Sequence, residues 1–102
     1  MDLPEESTPE KIGERLRWFR KKHLGVDQKL FAAEIGVTVT RYSNWETGSI
    51  FLPPPAALQL VAKYGLTLDF LYRGELDRLP NHLLNAWLSR AAASSAKSSS
   101  DN

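Results

Sequence analysis

The chain has 102 residues, 42% hydrophobic and 25% charged, with no cysteine. That length and balance fit one soluble domain around a single core, and they exclude a disulfide scaffold and thiolate metal sites. Net charge is +1, yet residues 1–10 hold four acids and no base, whereas residues 11–48 hold eight Lys/Arg against four Asp/Glu.

The basic charge is thus gathered in one block, a pattern that suits nucleic acid and equally an ordinary solvated helix face. The opening MDLPEESTPE is acidic, contains no apolar run and does not read as a signal peptide. No stretch has the length of a membrane span. With no cysteine to protect or oxidise, a cytoplasmic location is expected.

Residues 1–8 are expected to form a flexible acidic tail. Thr8-Pro9-Glu10-Lys11 then starts a helix, with Thr8 as N-cap, Pro9 at the first helical position and Lys11 at the third. Ile12, Leu16 and Phe19, with His23, follow at helical spacing, and Arg15, Arg17, Lys21 and Lys22 fall on the opposite, solvent face. Gly25 supplies a left-handed stop. Asp27 caps a short second helix reaching Ile35, with Phe31, Ala32 and Ile35 inward, and Gly36 ends it.

The next stretch, GVTVTRYSNWETG, begins with β-branched residues, which are weak helix formers. As a strand it has no consistent apolar face. As a helix capped by Thr38 it places Tyr42 and Trp45 together as core anchors, so a helix over 38–47 is expected. Ser49–Leu52 reads as a loop. A fourth helix, Ala56 to Tyr64, is expected to bury Leu58, Val61 and Ala62. Thr67 caps a fifth, Leu68 to Arg73, with Leu68, Phe70 and Leu71 toward the core. After Pro80, Leu83, Leu84, Trp87, Leu88 and Ala91 form an apolar stripe on a sixth helix. That stripe fits packing onto the chain's own core, against Trp18 or the fifth helix, and fits a dimer seam equally well. SSAKSSSDN has the composition of a disordered tail. The domain plan is therefore a tail over 1–8, a compact five-helix all-α domain over 9–75, an appended helix over 76–93, and a tail over 94–102.

Nothing in the sequence assembles a catalytic site. His23 and His82 stand isolated, so no metal is expected; no Ser-His-Asp arrangement or phosphate-binding glycine loop is evident. No cofactor is expected, and the chain does not read as an enzyme. The two short helices joined through Gly36-Val37 instead read as a helix-turn-helix, whose second helix enters the major groove and reads bases with its N-terminal residues. The β-branched head then has a purpose: short Thr and Val side chains let the helix end approach base edges, where hydroxyls and methyls both find partners.

Q-K-L-F-A-A-E-I-G-V-T-V-T-R-Y-S-N-W-E-T-G, followed by a Pro-led helix and G-L-T-L-D-F-L-Y-R-G-E, resembles the phage repressor/Cro type of regulator, the xenobiotic-response-element family. The resemblance covers Ile12 to Glu75 and implies the lambda-repressor-like fold. It implies phosphate contact or bracing by Gln28, with Lys29 beside it, base contact by Val39, Thr40 and Asn44, and phosphate or mixed roles for Thr38, Arg41 and Ser43. It also implies an ion pair from Glu46 to a base on the first helix. Arg20 is the first choice and Lys21 the second, because the junction to the second helix is one residue longer than usual. Two departures stand out. Leu30 occupies a usually polar position, and Ser49-Ile50-Phe51-Leu52 lacks the basic residues that relatives often carry there.

The implied protein is a sequence-specific regulator of transcription, a repressor that binds double-stranded DNA as a homodimer on a palindromic operator, because one helix-turn-helix offers few base contacts. There is no room for a large ligand-sensing domain, so promoter occupation is expected over effector gating. The dimer contact falls to either the 49–52 loop or the 81–93 helix. Two alternatives stay open: an antitoxin-type regulator with a toxin partner on its N- or C-terminal segment, and an interaction module that keeps the fold without DNA binding.

Overall fold

A computed structural model describes the backbone of residues 2–100 and the side chains of residues 2–90. Among the described residues there is no strand; the elements are a 3₁₀ turn, Glu5–Ser7, and six helices. They are α1 (Pro9–Arg17), α2 (Gln28–Glu34), α3 (Val39–Thr47), α4 (Pro54–Tyr64), α5 (Leu68–Arg73) and α6 (Asn81–Ser100), with α1 continuing as a π-helical turn, Trp18–Leu24. Local chemistry sets the starts. Thr8, Asp27, Thr38 and Thr67 each accept a hydrogen bond from the backbone N–H three residues on, satisfying a donor the helix leaves free. No helix among the described residues is long and apolar enough to cross a membrane.

The core is organised by aromatic rings. Phe19 meets Tyr64 edge-on at 5.2 Å, Tyr64 stacks on Phe31 at 5.5 Å, and Phe31 meets Tyr42 at 5.1 Å. This series runs from the end of α1 through α4 and α2 into α3, where Trp45 follows Tyr42 at 6.1 Å. A second group holds α6. Trp87 lies edge-on to Trp18 at 4.9 Å and to Phe70 at 5.0 Å, geometry favourable beyond the area it buries. Leu83 is buried beside them while Leu88 is exposed, so the first half of the stripe packs on the chain's own core. Ala91 and everything after it lie outside the described side chains. The α6 backbone continues to Ser100, through positions expected to be a tail; the alanines at 91–93 and 96 favour helix extension, and residues 101–102 lie outside the description.

Three expectations about facing need correction. In α4 the buried residues are Ala56, Ala57 and Leu60, while Leu58 and Ala62 are exposed and Val61 is half-buried. The helix is apolar nearly all round, so spacing alone did not select a face. It also begins at Pro54, because proline tolerates the first turn, where no N–H is needed. Leu68 is exposed and Leu66, just before the cap, takes the core place. Arg15 is not on the solvent face: it is 2% exposed, donating Nε to the Leu71 carbonyl at 3.2 Å and binding both the carboxylate and the carbonyl of Glu6. That grip ties the 3₁₀ turn of the acidic N-terminal segment to α1 and α5. Within the 49–52 loop, Leu52 is buried and only Ile50 and Phe51 are exposed.

One close approach orients α3. Gly13 faces the end of α3, and a Cβ there would overlap the Glu46 carbonyl oxygen and lie 2.7 Å from that of Trp45. The two helices therefore cross backbone against backbone, a distance only glycine permits.

Candidate nucleic-acid interface

The turn between α2 and α3 is closed by the chain itself. Val37 N–H donates to the Ala32 carbonyl at 3.0 Å while Gly36 sits at φ +73°, a conformation glycine adopts without penalty. Thr38 Oγ1 accepts from Arg41 N–H at 3.1 Å, which uses one of its two lone pairs on the cap and leaves its hydroxyl proton uncommitted. Tyr42 and Trp45 bury one side of α3. Thr38, Val39, Thr40 and Arg41 are exposed on the other, with Ser43 and Asn44 half-buried beside them. Gln28 and Lys29, at the start of α2, are half-buried and exposed respectively.

Beneath this surface lies a charged network. Arg20 grips Glu46 with two parallel bonds, Nε to Oε2 at 2.6 Å and Nη2 to Oε1 at 3.0 Å, and its Nη1 donates to the Val26 carbonyl at 2.8 Å. Gln28 Nε2 donates to the same carboxylate at 2.9 Å, so the glutamine braces α3. Both charged side chains are at least nine-tenths buried, and the fork geometry is the strong form of such a pair. Arg20, not the exposed Lys21, is the partner, and the π-helical turn explains how. The extra residue before α2 is absorbed inside the helix, where Gly25 N–H donates to the Arg20 carbonyl across five residues, and the junction itself stays short. Tyr42 carries its hydroxyl into this region buried and without a hydrogen-bond partner among the described residues, and burial pushes its ionisation far above the ordinary tyrosine value.

Burial opposes the Glu46 charge, but the hydrogen bonds gathered on it, that from Arg20 foremost, outweigh burial and hold its pKa below the usual carboxylate value. A carboxylate whose folded pKa is depressed contributes stability above its unfolded pKa and loses it as pH falls through the folded one. Denaturant melts should therefore show the wild type weakening as pH falls below about 4.3, more steeply than Glu46→Gln. Parallel pH profiles for the two would show that Glu46 is not held ionised by this network.

A shallow cleft of about 220 Å³ opens over the network, lined by Arg17, Arg20, Gln28, Glu46 and Thr47. Arg17 and Thr47 were not singled out in the sequence; Arg17 stands three residues before Arg20, a spacing that puts both on one side of a helix. The histidines are not isolated in space. His23 and His82 have ring centres 6.1 Å apart, with His23 also stacked on Phe19, because α6 returns to the end of α1. Among the described residues no cluster of three or more His, Cys, Asp or Glu has metal-binding geometry.

A family model described as helix-turn-helix matches residues 16–71, more than half of the chain. The chain belongs to the Cro/repressor-type, xenobiotic-response-element family of helix-turn-helix proteins. Members of this family are DNA-binding regulators of transcription, and that is the function assigned to this chain. No curated protein and no solved structure gives a significant match. The matched region takes in α2 and α3, the two short helices joined by the Gly36 turn, and ends at Leu71, within α5.

Proposed function

We propose that the protein is a repressor that binds a palindromic operator as a homodimer, with α3 of each protomer in the major groove. The observation that carries this reading is the division of α3. Its inward residues are fixed to the scaffold, while Val39, Thr40, Arg41, Ser43 and Asn44 share the accessible side. In a groove-bound helix, Asn44 reads adenine through a bidentate pair, Val39 and Thr40 meet thymine methyls or base edges, and Arg41 takes a phosphate. A bound dimer covers the DNA that it reads, which suffices to block a promoter.

The loop after α3 is the favoured dimer contact. Ile50 and Phe51 are exposed, and Phe51 stacks on Tyr72 at 5.7 Å with ring planes 8° apart. Tyr72 in turn donates to the Leu52 carbonyl at 2.8 Å, so the apolar loop is presented rigidly. The Trp87 end of α6, by contrast, is occupied by the core.

Selection of bound duplexes from a random pool at two salt concentrations tests the proposal. Enrichment of a palindrome with half-sites about one helical turn apart supports it; an asymmetric single half-site removes the dimer, and no enrichment removes sequence reading. On the selected site, Asn44→Ala should cost about 1–3 kcal/mol and relax preference at one base pair. An equal loss on every sequence would assign Asn44 to the backbone instead.

A further inference from the structure

We propose that residues 2–7 are a releasable strap that sets how firmly the reading helix is held. With Glu6 seated on Arg15 DNA is read tightly; with the strap free it is read weakly. This rests on the DNA-reading function above and adds a regulatory element to it. Strap and Arg15 both lie ahead of the matched region, residues 16–71.

The socket is built and its occupant is loosely held. Arg15 is 2% exposed, and each hydrogen bond it donates among the described residues goes to Glu6 or to the Leu71 carbonyl. Leu71 lies in the last turn of α5, where the helix leaves carbonyls free and its dipole favours a cation, so Arg15 caps α5. Gly74, at φ +70°, makes the room: a Cβ there would lie 3.0 Å from Arg15 Nη1. The strap has little other hold. Residues 2–6 are exposed, the 3₁₀ turn buries no residue, and the Glu6 side chain is 57% exposed. A pair with one partner in water is held weakly, and an opened strap lets water reach the Nη atoms that Glu6 leaves.

Gly13 and Arg15 are two residues apart, so they face nearly opposite sides of α1. One side meets the backbone of Trp45 and Glu46; the other meets the end of α5 and the strap. α1 is thus clamped between α3 and the Arg15 junction. Freeing the strap leaves Arg15 free to quit the Leu71 carbonyl and α1 free to shift from its crossing with α3.

Glu6→Ala and Glu5→Ala in the full chain test the proposal. Both remove a carboxylate from the same turn, but Glu5 makes no ion pair among the described residues and so controls for charge. In fluorescence anisotropy on the selected duplex, Glu6→Ala should bind at least about fivefold more weakly, the low end for coupling between separate sites. Glu5→Ala should bind as tightly as wild type or more so. Hydrogen exchange in Glu6→Ala should be faster at the Gly74 and Glu75 amides, which close the end of α5. Coupling is reciprocal, so bound duplex should slow these amides in the wild type and not in Glu6→Ala. A merely structural glutamate would leave the duplex effect equal in both. Glu6→Gln, which keeps an acceptor and loses the charge, should move the readouts the same way and carries the test if the alanine variant does not fold. Exchange equal to wild type, faster exchange with unchanged affinity, or equal slowing by duplex overturns the proposal and leaves the DNA reading standing. A wild-type chain that selects no duplex overturns both.

Discussion

Gly13→Ala is expected to lower stability by about 3 kcal/mol, at the upper end for overpacking, which for a domain of this size is a drop in Tm of about 12–24 °C. Helix propensity alone makes the opposite forecast, because alanine is favoured over glycine in a helix interior by about 1 kcal/mol. The crossing decides the sign. The atoms that an added methyl group would meet are backbone atoms of Trp45 and Glu46, which cannot rotate away as a side chain can. To admit it, α1 and α3 must separate, loosening Trp45, which is 2% exposed, and lengthening the Arg20–Glu46 bonds. Thermal melts followed by circular dichroism would check this, and a Tm equal to or above wild type would show that the helices do not approach so closely.

The second large effect concerns the network that Gly13 brings together. Glu46→Ala should cost about 3–5 kcal/mol, because it leaves the Arg20 guanidinium buried without its counter-charge. The value of the pair itself is a different quantity. Replacing both partners together, as Arg20→Met with Glu46→Leu, removes the stranded charge and should recover much of the loss. Urea titrations of the two single variants and the double form a cycle that separates these terms. A loss under about 1 kcal/mol for Glu46→Ala would place the pair in the class of solvated surface ion pairs, in conflict with its enclosure.

Such features differ in how visible they are along the chain. The starts of α1, α2, α3 and α5 were legible because capping is local: a Thr or Asp accepts a bond from three residues ahead whatever the rest of the protein does. Tyr42 and Trp45 were legible as an inward pair, since spacing and size agree. The α4 face was not, because Ala56 to Ala62 holds apolar residues on every side and only tertiary contact selects among them. Gly13 reads along the chain as a weak point in a helix and gains its meaning from a partner 33 positions away in the sequence. The resemblance pointed to a base on α1 for Glu46, but not to the π-helical turn that aims Arg20 at it. A change from four- to five-residue hydrogen bonding has no compositional signature. Arg15 was visible only as part of a basic stripe; what sets it apart from Arg17, its grip on Glu6 and Leu71, is partnership, which exists only in three dimensions.

The backbone crossing at Gly13 also bears on how such a protein can diverge. The seat of α3 is set by main-chain contact and by Tyr42, Trp45 and Glu46, none of which is among the proposed base-reading residues. Substitutions at Val39, Thr40, Ser43 and Asn44 therefore change what is read while leaving the reader's pose intact. After gene duplication, two copies could acquire different operators through a few point changes, each passing through folded intermediates. A library randomised at those four positions should accordingly yield mostly folded proteins with new binding preferences, whereas one randomised at 13, 42, 45 and 46 should yield mostly unfolded ones.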